Sequence, residues 1–221
     1  VVKTIGSVIG GTTKPLVDGT SVPAPTGSTN GIVNPSMEQG APDCWMRGGW
    51  GTNNPTFETG SPAHTGAISS GITMTGYGDG DAKLLPQFDL GQCAPTVTPG
   101  RTYTLREWYL ASGVTQFAVY LRSTSGSWSY WTSSPWYASA ADWTEADWTT
   151  PAIPDGYNGI SFALTIFGNG TLRTDDLALY DSAGAPALAP ATGVTRLAPA
   201  TTTPPQGPVE LFQPTESDVT G

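Results

Sequence analysis

Between residues 32 and 182, short runs of alternating or β-branched and aromatic residues recur about every 10 to 14 positions, each stopped by Gly, Pro, Asn, Asp or Ser. The runs read "PTFETG", "GAISSGITMTG", "KLLPQFDL", "RTYTLREWYLAS", "TQFAVYLRS", "GSWSYWTS", "DWTEADWTTP", "NGISFALTIFG" and "GTLRTDDLALYD". No stretch keeps a 3.6-residue period for three turns, so the pattern predicts successive antiparallel strands and no long helix. About nine strands in about 150 residues fit a two-sheet sandwich better than an open sheet, which would leave long edges exposed. The expected fold class is all-β, an antiparallel two-sheet β-sandwich.

Composition agrees. Charged residues make up 12% of the 221, while 28 glycines and 20 prolines favour turns and extended segments over helix. The tracts outside the strand region, "GGTTKPLVDGTSVPAPTGSTNG" and everything from Ala183 onward, are rich in Pro, Thr, Ala and Gly and lack apolar periodicity. They cannot bury enough surface to offset their ordering entropy and read as linkers. The expected organisation is the end of an upstream domain and a linker over 1–30, one β-sandwich domain over 31–182 and a Pro/Thr/Ala-rich tail or linker over 183–221.

A net charge of −9 with no Lys/Arg cluster argues against a nucleic-acid partner. No apolar run approaches the roughly 20 residues needed to span a bilayer as a helix. The chain begins at Val1 without a basic segment and apolar stretch, so a signal peptide is expected to be absent or already removed. Cys44 and Cys93 lack neighbouring histidines and make a poor zinc site. A disulfide is the favoured reading over two buried thiols; it would be worth about 3–4 kcal/mol and would imply an oxidising, extracellular setting.

Strand alternation assigns faces. In "TQFAVYLRS", Phe117, Val119 and Leu121 share one face and Tyr120 and Arg122 the other; in "RTYTLREWYLAS", Tyr103, Leu105 and Tyr109 share one face and Arg106 and Trp108 the other. Each strand thus sets an aromatic beside an arginine on the face away from its aliphatics.

Catalytic candidates are few. The single histidine, His64 in "SPAHTG", sits in a turn-like setting and reads as a solvent-facing loop residue. Any triad or His-based metal site would depend on it alone. Glu107, Glu145, Asp142, Asp147, Asp175 and Asp176 are the carboxylates that a glycosidase or lyase could pair at about 5–9.5 Å. Most occupy turn-forming positions. Glu107 alternates inward with Leu105 and Tyr109, where an arginine or a bound cation is its expected partner. Calcium, which takes six to eight hard oxygens, suits Glu38 in "NPSMEQG" with Asp175 and Asp176 in "TLRTDDLALYD".

The aromatics are the strongest signal. Trp and Tyr stack on the apolar faces of sugar rings as readily as they fill cores, and eight tryptophans are many for either role alone. In "SGSWSYWTSSPWYAS", Trp128 and Tyr130 fall on one face and Trp131 on the other. One set is expected in the core and the other on a binding surface.

The order "NPSMEQG", "AHTGAISSGITM", "VTPGRTYTLREWYLAS", a Trp-containing strand ending in "TTPAIPDG" and a final "GTLRTDDLALYD" resembles the jelly-roll, galactose-binding-like carbohydrate-binding modules of extracellular bacterial glycan enzymes, over roughly residues 31 to 182. That resemblance implies a structural calcium held by Glu38, backbone carbonyls of Thr65 or Gly66, and Asp175 or Asp176. The stretches "PDCW", "GGWGTN", "CAP", "WSYWTSSP" and "TTPAIP" are similar to modules at the C-terminus of actinobacterial polysaccharide deacetylases, and "VVKTIGSVIGG" resembles the end of such a catalytic domain. The deacetylase's metal-binding Asp and His motifs are absent, so the chain itself is expected to be non-catalytic.

The expected function is therefore a secreted, monomeric module that tethers a glycan-active enzyme to a polysaccharide. Its expected sugar-binding residues are Trp108, Tyr120, Arg122, Trp131 and Trp136, then Trp50 and Tyr137, with Trp143 in a packing role. The rivals are a structural or protein-interaction sandwich without a sugar site and a small glycoside-cleaving enzyme.

Overall fold

The computed structural model describes residues 29–39 and 44–185, together with a short antiparallel pair, β1 (Val8–Ile9) and β2 (Thr12–Thr13). Expectations for the rest of the flanking tracts lie outside the described residues. Ten further strands follow: β3 (Trp45–Trp50), β4 (Asn54–Gly60), β5 (Ser69–Thr75), β6 (Asp81–Pro86), β7 (Tyr103–Ala111), β8 (Thr115–Ser123), β9 (Trp128–Ser133), β10 (Ala140–Thr149), β11 (Tyr157–Ile166) and β12 (Gly170–Asp181). They form two five-stranded antiparallel sheets, in the order β10-β7-β12-β5-β4 (sheet one) and β3-β6-β11-β8-β9 (sheet two). The protein is an all-β jelly-roll sandwich, as expected.

The core lies where the alternation placed it. Tyr103, Leu105 and Tyr109 of β7 face Phe117, Val119 and Leu121 of β8 and Ile160, Phe162 and Leu164 of β11, all buried. The nine expected strands all form, and β3 joins them as an unanticipated edge of sheet two. Its sequence "WMRGGW" hides the period of two behind paired glycines. Those glycines are needed because the chain passes close to β6: a Cβ on Gly49 would stand 2.5 Å from the Asp81 carbonyl oxygen.

Cys44 and Cys93 form the disulfide. It joins the entry of β3 to the 87–97 loop that follows β6. The carboxylate of Asp89 holds that loop from within, accepting hydrogen bonds from the N–H groups of Gly91, Cys93 and Ala94 at 2.9, 2.7 and 3.2 Å. So braced, the loop folds over the outer face of sheet two.

Candidate functional site

The outer face of sheet two carries an aromatic and charged cluster separate from the core. Alternation along β6 sends Ala82 and Leu84 inward and leaves Asp81, Lys83 and Leu85 on the outer face. On β8 the same face holds Ala118, Tyr120 and Arg122, and on β9 it holds Trp128 and Tyr130, whose Cα partners are Arg122 and Tyr120. Phe88, from the loop, stacks on Trp128 with ring centroids 4.7 Å apart and tilts against Tyr120 at 5.0 Å. Tyr130 meets Tyr120 edge-on at 5.8 Å.

Beneath the rings sits a buried ion pair. Lys83 Nζ lies 2.5 Å from Asp81 Oδ1 and 5.6 Å from the Tyr120 ring centroid, with the two charged side chains only 1% and 7% exposed. Burial pushes the Lys83 ammonium down, but the adjoining Asp81 and Tyr120 outweigh it and its pKa stands above the ordinary lysine value. Burial likewise raises the Tyr120 phenol, against the pull of Lys83. Lys83 therefore keeps its charge at neutral pH.

Arg122 is locked. Its Nε donates to Asn158 Oδ1 at 2.9 Å, Nη1 to the Asp89 carbonyl at 3.1 Å and Nη2 to the Asn158 carbonyl at 3.2 Å, while its guanidinium stands 5.8 Å from the Trp128 ring centroid. Trp128 Nε1 donates to the same Asp89 carbonyl at 3.1 Å. Tyr120 and Arg122 therefore face away from the core as expected, yet at 4% and 3% exposure they lie under the loop. The half-buried rings of Trp128, Tyr130 and Phe88 are the ones that reach the surface there.

Trp131 is a correction. It packs against the inter-sheet core, and Trp128 and Tyr130 take the outer face. The pairing of β8 with β9 slips by a bulge between Val119↔Thr132 and Tyr120↔Tyr130, so Trp131 is the extra residue that the bulge accommodates. Tyr137 is also corrected: it is buried in the core, its hydroxyl donates to the Asp147 carbonyl and its ring meets Phe117 edge-on at 5.9 Å. Trp136 is half-buried against Phe167, with centroids 4.9 Å apart, at the end of the sandwich. Trp50 closes β3, also half-buried, its carbonyl accepting from Asn53 Nδ2 at 2.9 Å. Neither joins the sheet-two cluster.

Trp108 lies on the opposite side of the molecule, on the outer face of sheet one. His64 stacks on it with centroids 3.8 Å apart and planes 10° from parallel, and Trp143 closes on His64 edge-on at 5.9 Å. The plain reading of His64 as a solvent-facing loop residue is thus overturned. Its Nδ1 lies 2.6 Å from Asp176 Oδ2, a contact 112 positions away in sequence and invisible to local pattern. Trp143 packs, but on this outer stack.

The residues expected around calcium do gather. Glu38 Oε1 accepts from the N–H groups of Ala67 and Ile68 at 2.8 and 2.7 Å; Asp175 Oδ2 accepts from those of His64 and Thr65 at 2.7 and 3.2 Å; Asp176 Oδ1 accepts from the Thr65 hydroxyl at 2.7 Å. Gly66, at φ +64°, leaves the space that Glu38 fills, since a Cβ there would meet its carboxylate at 2.4 Å. These hard oxygens suit calcium in kind. The loop turns N–H groups toward the carboxylates, and no group of three His, Cys, Asp or Glu that could hold a metal occurs among the described residues.

Glu107 points inward as expected, and its hydrogen-bond partner is a backbone N–H rather than an arginine. Its Oε2 accepts from the Leu164 N–H of the opposite sheet at 2.8 Å. Sealed between the sheets at 1% exposure, it cannot reach a substrate. Glu145 and Asp147 lie outward on β10, and burial raises the Glu145 carboxyl above the usual carboxylate range, partly offset by Arg106.

Sequence reasoning missed Phe88, Lys83 and Asp81 as members of one site. The i, i+2 spacing of Asp81 and Lys83 in "DAKLLP" was the available signal; Phe88 joins through a loop.

No family model matches the chain, and no curated protein matches it. Among solved structures it is similar to the enzymatically active domain of tailspike protein 4 of bacteriophage CBA120, with TM-score 0.50 and 16% identity over 68% of this chain and 21% of that one. It thus spans about a fifth of that protein's chain. Also similar are TmCBM61 in complex with β-1,4-galactotriose (TM-score 0.45, 15% identity, 70% of this chain and 100% of that one) and the CBM22-1 xylan-binding domain of Paenibacillus barcinonensis Xyn10C (0.46, 11%, 74% and 100%). At these identities the likeness is one of fold.

Proposed function

We propose that this chain is a non-catalytic, glycan-binding β-sandwich whose sugar site is the outer face of sheet two. The observation that carries the reading is the set of half-buried rings, Trp128, Tyr130 and Phe88, gathered with Tyr120, whose ring lies over Lys83 of the buried Lys83–Asp81 pair. The rings offer stacking area for a pyranose. We further propose that the module tethers a glycan-active enzyme, of polysaccharide-deacetylase type, to its polymer. Tethering raises the enzyme's effective concentration at an insoluble substrate, so modest affinity suffices. The Cys44–Cys93 bridge supports a secreted setting. Affinity electrophoresis of the folded chain against plant and bacterial cell-wall polysaccharides tests the reading: retardation by at least one is expected, and migration unchanged by all of them overturns it.

A second reading, a structural or protein-interaction sandwich, is favoured by the cover on three expected sugar contacts: the 87–94 loop over Tyr120 and Arg122, and His64 over Trp108. It predicts no glycan retardation.

We also propose calcium as a structural ion, with Glu38, Asp175 and Asp176 and backbone oxygens of Thr65 and Gly66 as its ligands. The support is the convergence of all five residues on one loop. Calorimetric titration of the chelator-treated chain checks it: saturable heat and a raised melting temperature are expected, and the absence of both rejects the ion.

A further inference from the structure

The outer face of sheet one carries a groove of about 550 Å³, far from the aromatic cluster and within the roughly 300–1,000 Å³ typical of small-ligand sites. Its floor follows from register. Arg173 of β12 is the Cα partner of Gly71 on β5, and Gly71 is the partner of Glu58 on β4. Arg173 and Glu58 are therefore two strands apart, and they form an ion pair across the glycine between them. A Cβ on Gly71 would stand 2.9 Å from Arg173 Nη2 and 2.9 Å from Glu58 Oε1, so the pair requires glycine there.

The two partners are held differently. Arg173 is anchored, Nη1 donating to the Gly60 carbonyl and to Ser69 Oγ, each at 3.0 Å, and its side chain is 14% exposed. Glu58 is 59% exposed and reaches in from the edge strand. The surrounding wall is mixed and carries no aromatic ring: the exposed Thr73, Ser112, Ser139 and Thr171 offer hydroxyls, and Leu110, Ala140 and Ala141 offer an apolar strip.

We infer that this groove is a second saccharide site, independent of the aromatic face, which takes a neutral pyranoside through a vicinal diol. It shares with the proposed function only the class of ligand. A fixed guanidinium beside an exposed carboxylate gives a donor and an acceptor side by side, matching adjacent hydroxyls, each of which can both accept and donate. Glu58 neutralises Arg173, and the chain carries a net charge of −9, so an anionic sugar is disfavoured. Glu58 is the solvent-exposed partner of the pair, so swinging it aside to admit a diol costs little.

The test is backbone amide NMR of the full chain, titrated with methyl glycosides of glucose, galactose, mannose and xylose at high millimolar concentration, with glucuronate as the anionic arm. Shifts at Gly71, Thr73, Ser112 and Thr171 with at least one neutral glycoside are expected. In the Glu58→Ala chain, the affinity read from those four amides falls about fivefold or more, while shifts at Trp128 and Tyr130 are unchanged. No groove shifts with any neutral glycoside, shifts with glucuronate alone, or groove shifts that survive Glu58→Ala each overturn the inference. Shifts in the groove without shifts on the aromatic face uphold it and count against the sheet-two site, so the two proposals fail separately.

Discussion

Glu107 on β7 accepts a hydrogen bond of 2.8 Å from the Leu164 N–H on β11, so a carboxyl side chain links the two sheets through the middle of the core. Burial raises its pKa to about 8, outweighing the Leu164 N–H and the Thr174 hydroxyl, which favour the ionised form. The folded chain therefore holds a proton there that the unfolded chain releases near the ordinary value of 4.5. Between those values the native state binds more protons than the unfolded one, so stability falls as pH rises from about 4.5 to about 8 and then levels off. In Glu107→Gln this component of the pH dependence is lost. The variant should melt at a higher temperature than the parent at pH 9 and within about 1 kcal/mol of it at pH 5, by thermal denaturation across that range.

Trp128→Ala and Trp131→Ala separate the two faces of β9. Removing Trp128 strips the sheet-two surface and should weaken glycan retardation by about 1–2 kcal/mol. Removing Trp131 takes a ring from the core side and should cost about 3 kcal/mol in chemical denaturation, with retardation of the surviving folded protein kept. Equal loss of retardation in the two would count against the assigned site.

Reduction of Cys44–Cys93, or Cys44→Ser with Cys93→Ser, frees the loop that places Phe88 and the Asp89 carbonyl over Trp128 and Arg122. Stability should drop by about 3–4 kcal/mol in a urea titration. Amides of residues 87–94 should lose hydrogen-exchange protection before those of β8 and β11.

Lys83→Met leaves the Asp81 carboxylate buried without its cation and should destabilise by about 3–5 kcal/mol. Adding Asp81→Leu should recover most of that loss, since a buried pair exchanged for apolar groups is often close to neutral. A double-mutant cycle in urea reads the coupling directly.

Much of this was open to local reading. A period of two is a property of the strand itself, so Tyr120 with Arg122, Trp108 with Arg106, and Trp128 with Tyr130 could each be placed on a common face without knowing the fold. Glu107 could be aimed inward for the same reason. The density of Gly- and Pro-bounded runs then made a two-sheet sandwich the economical closure.

What the pattern could not decide is which face meets the second sheet at an edge strand, because both sides of β9 carry large rings. The pairing of Tyr130 with Tyr120 and of Trp128 with Arg122, a property of the β8–β9 ladder, set those two rings on the outer face and left Trp131 on the core side. Nor could it foresee cover from a distance. His64 over Trp108, the 87–94 loop over Tyr120, and Arg173 meeting Glu58 above Gly71 join residues brought together by sheet order, which depends on how the whole chain buries its apolar surface. The sequence by itself determined nine of the ten sandwich strands and the partition of their side chains; the tertiary structure added the edge strand β3 and decided which partition became core, which became surface, and which outward side chains were then covered.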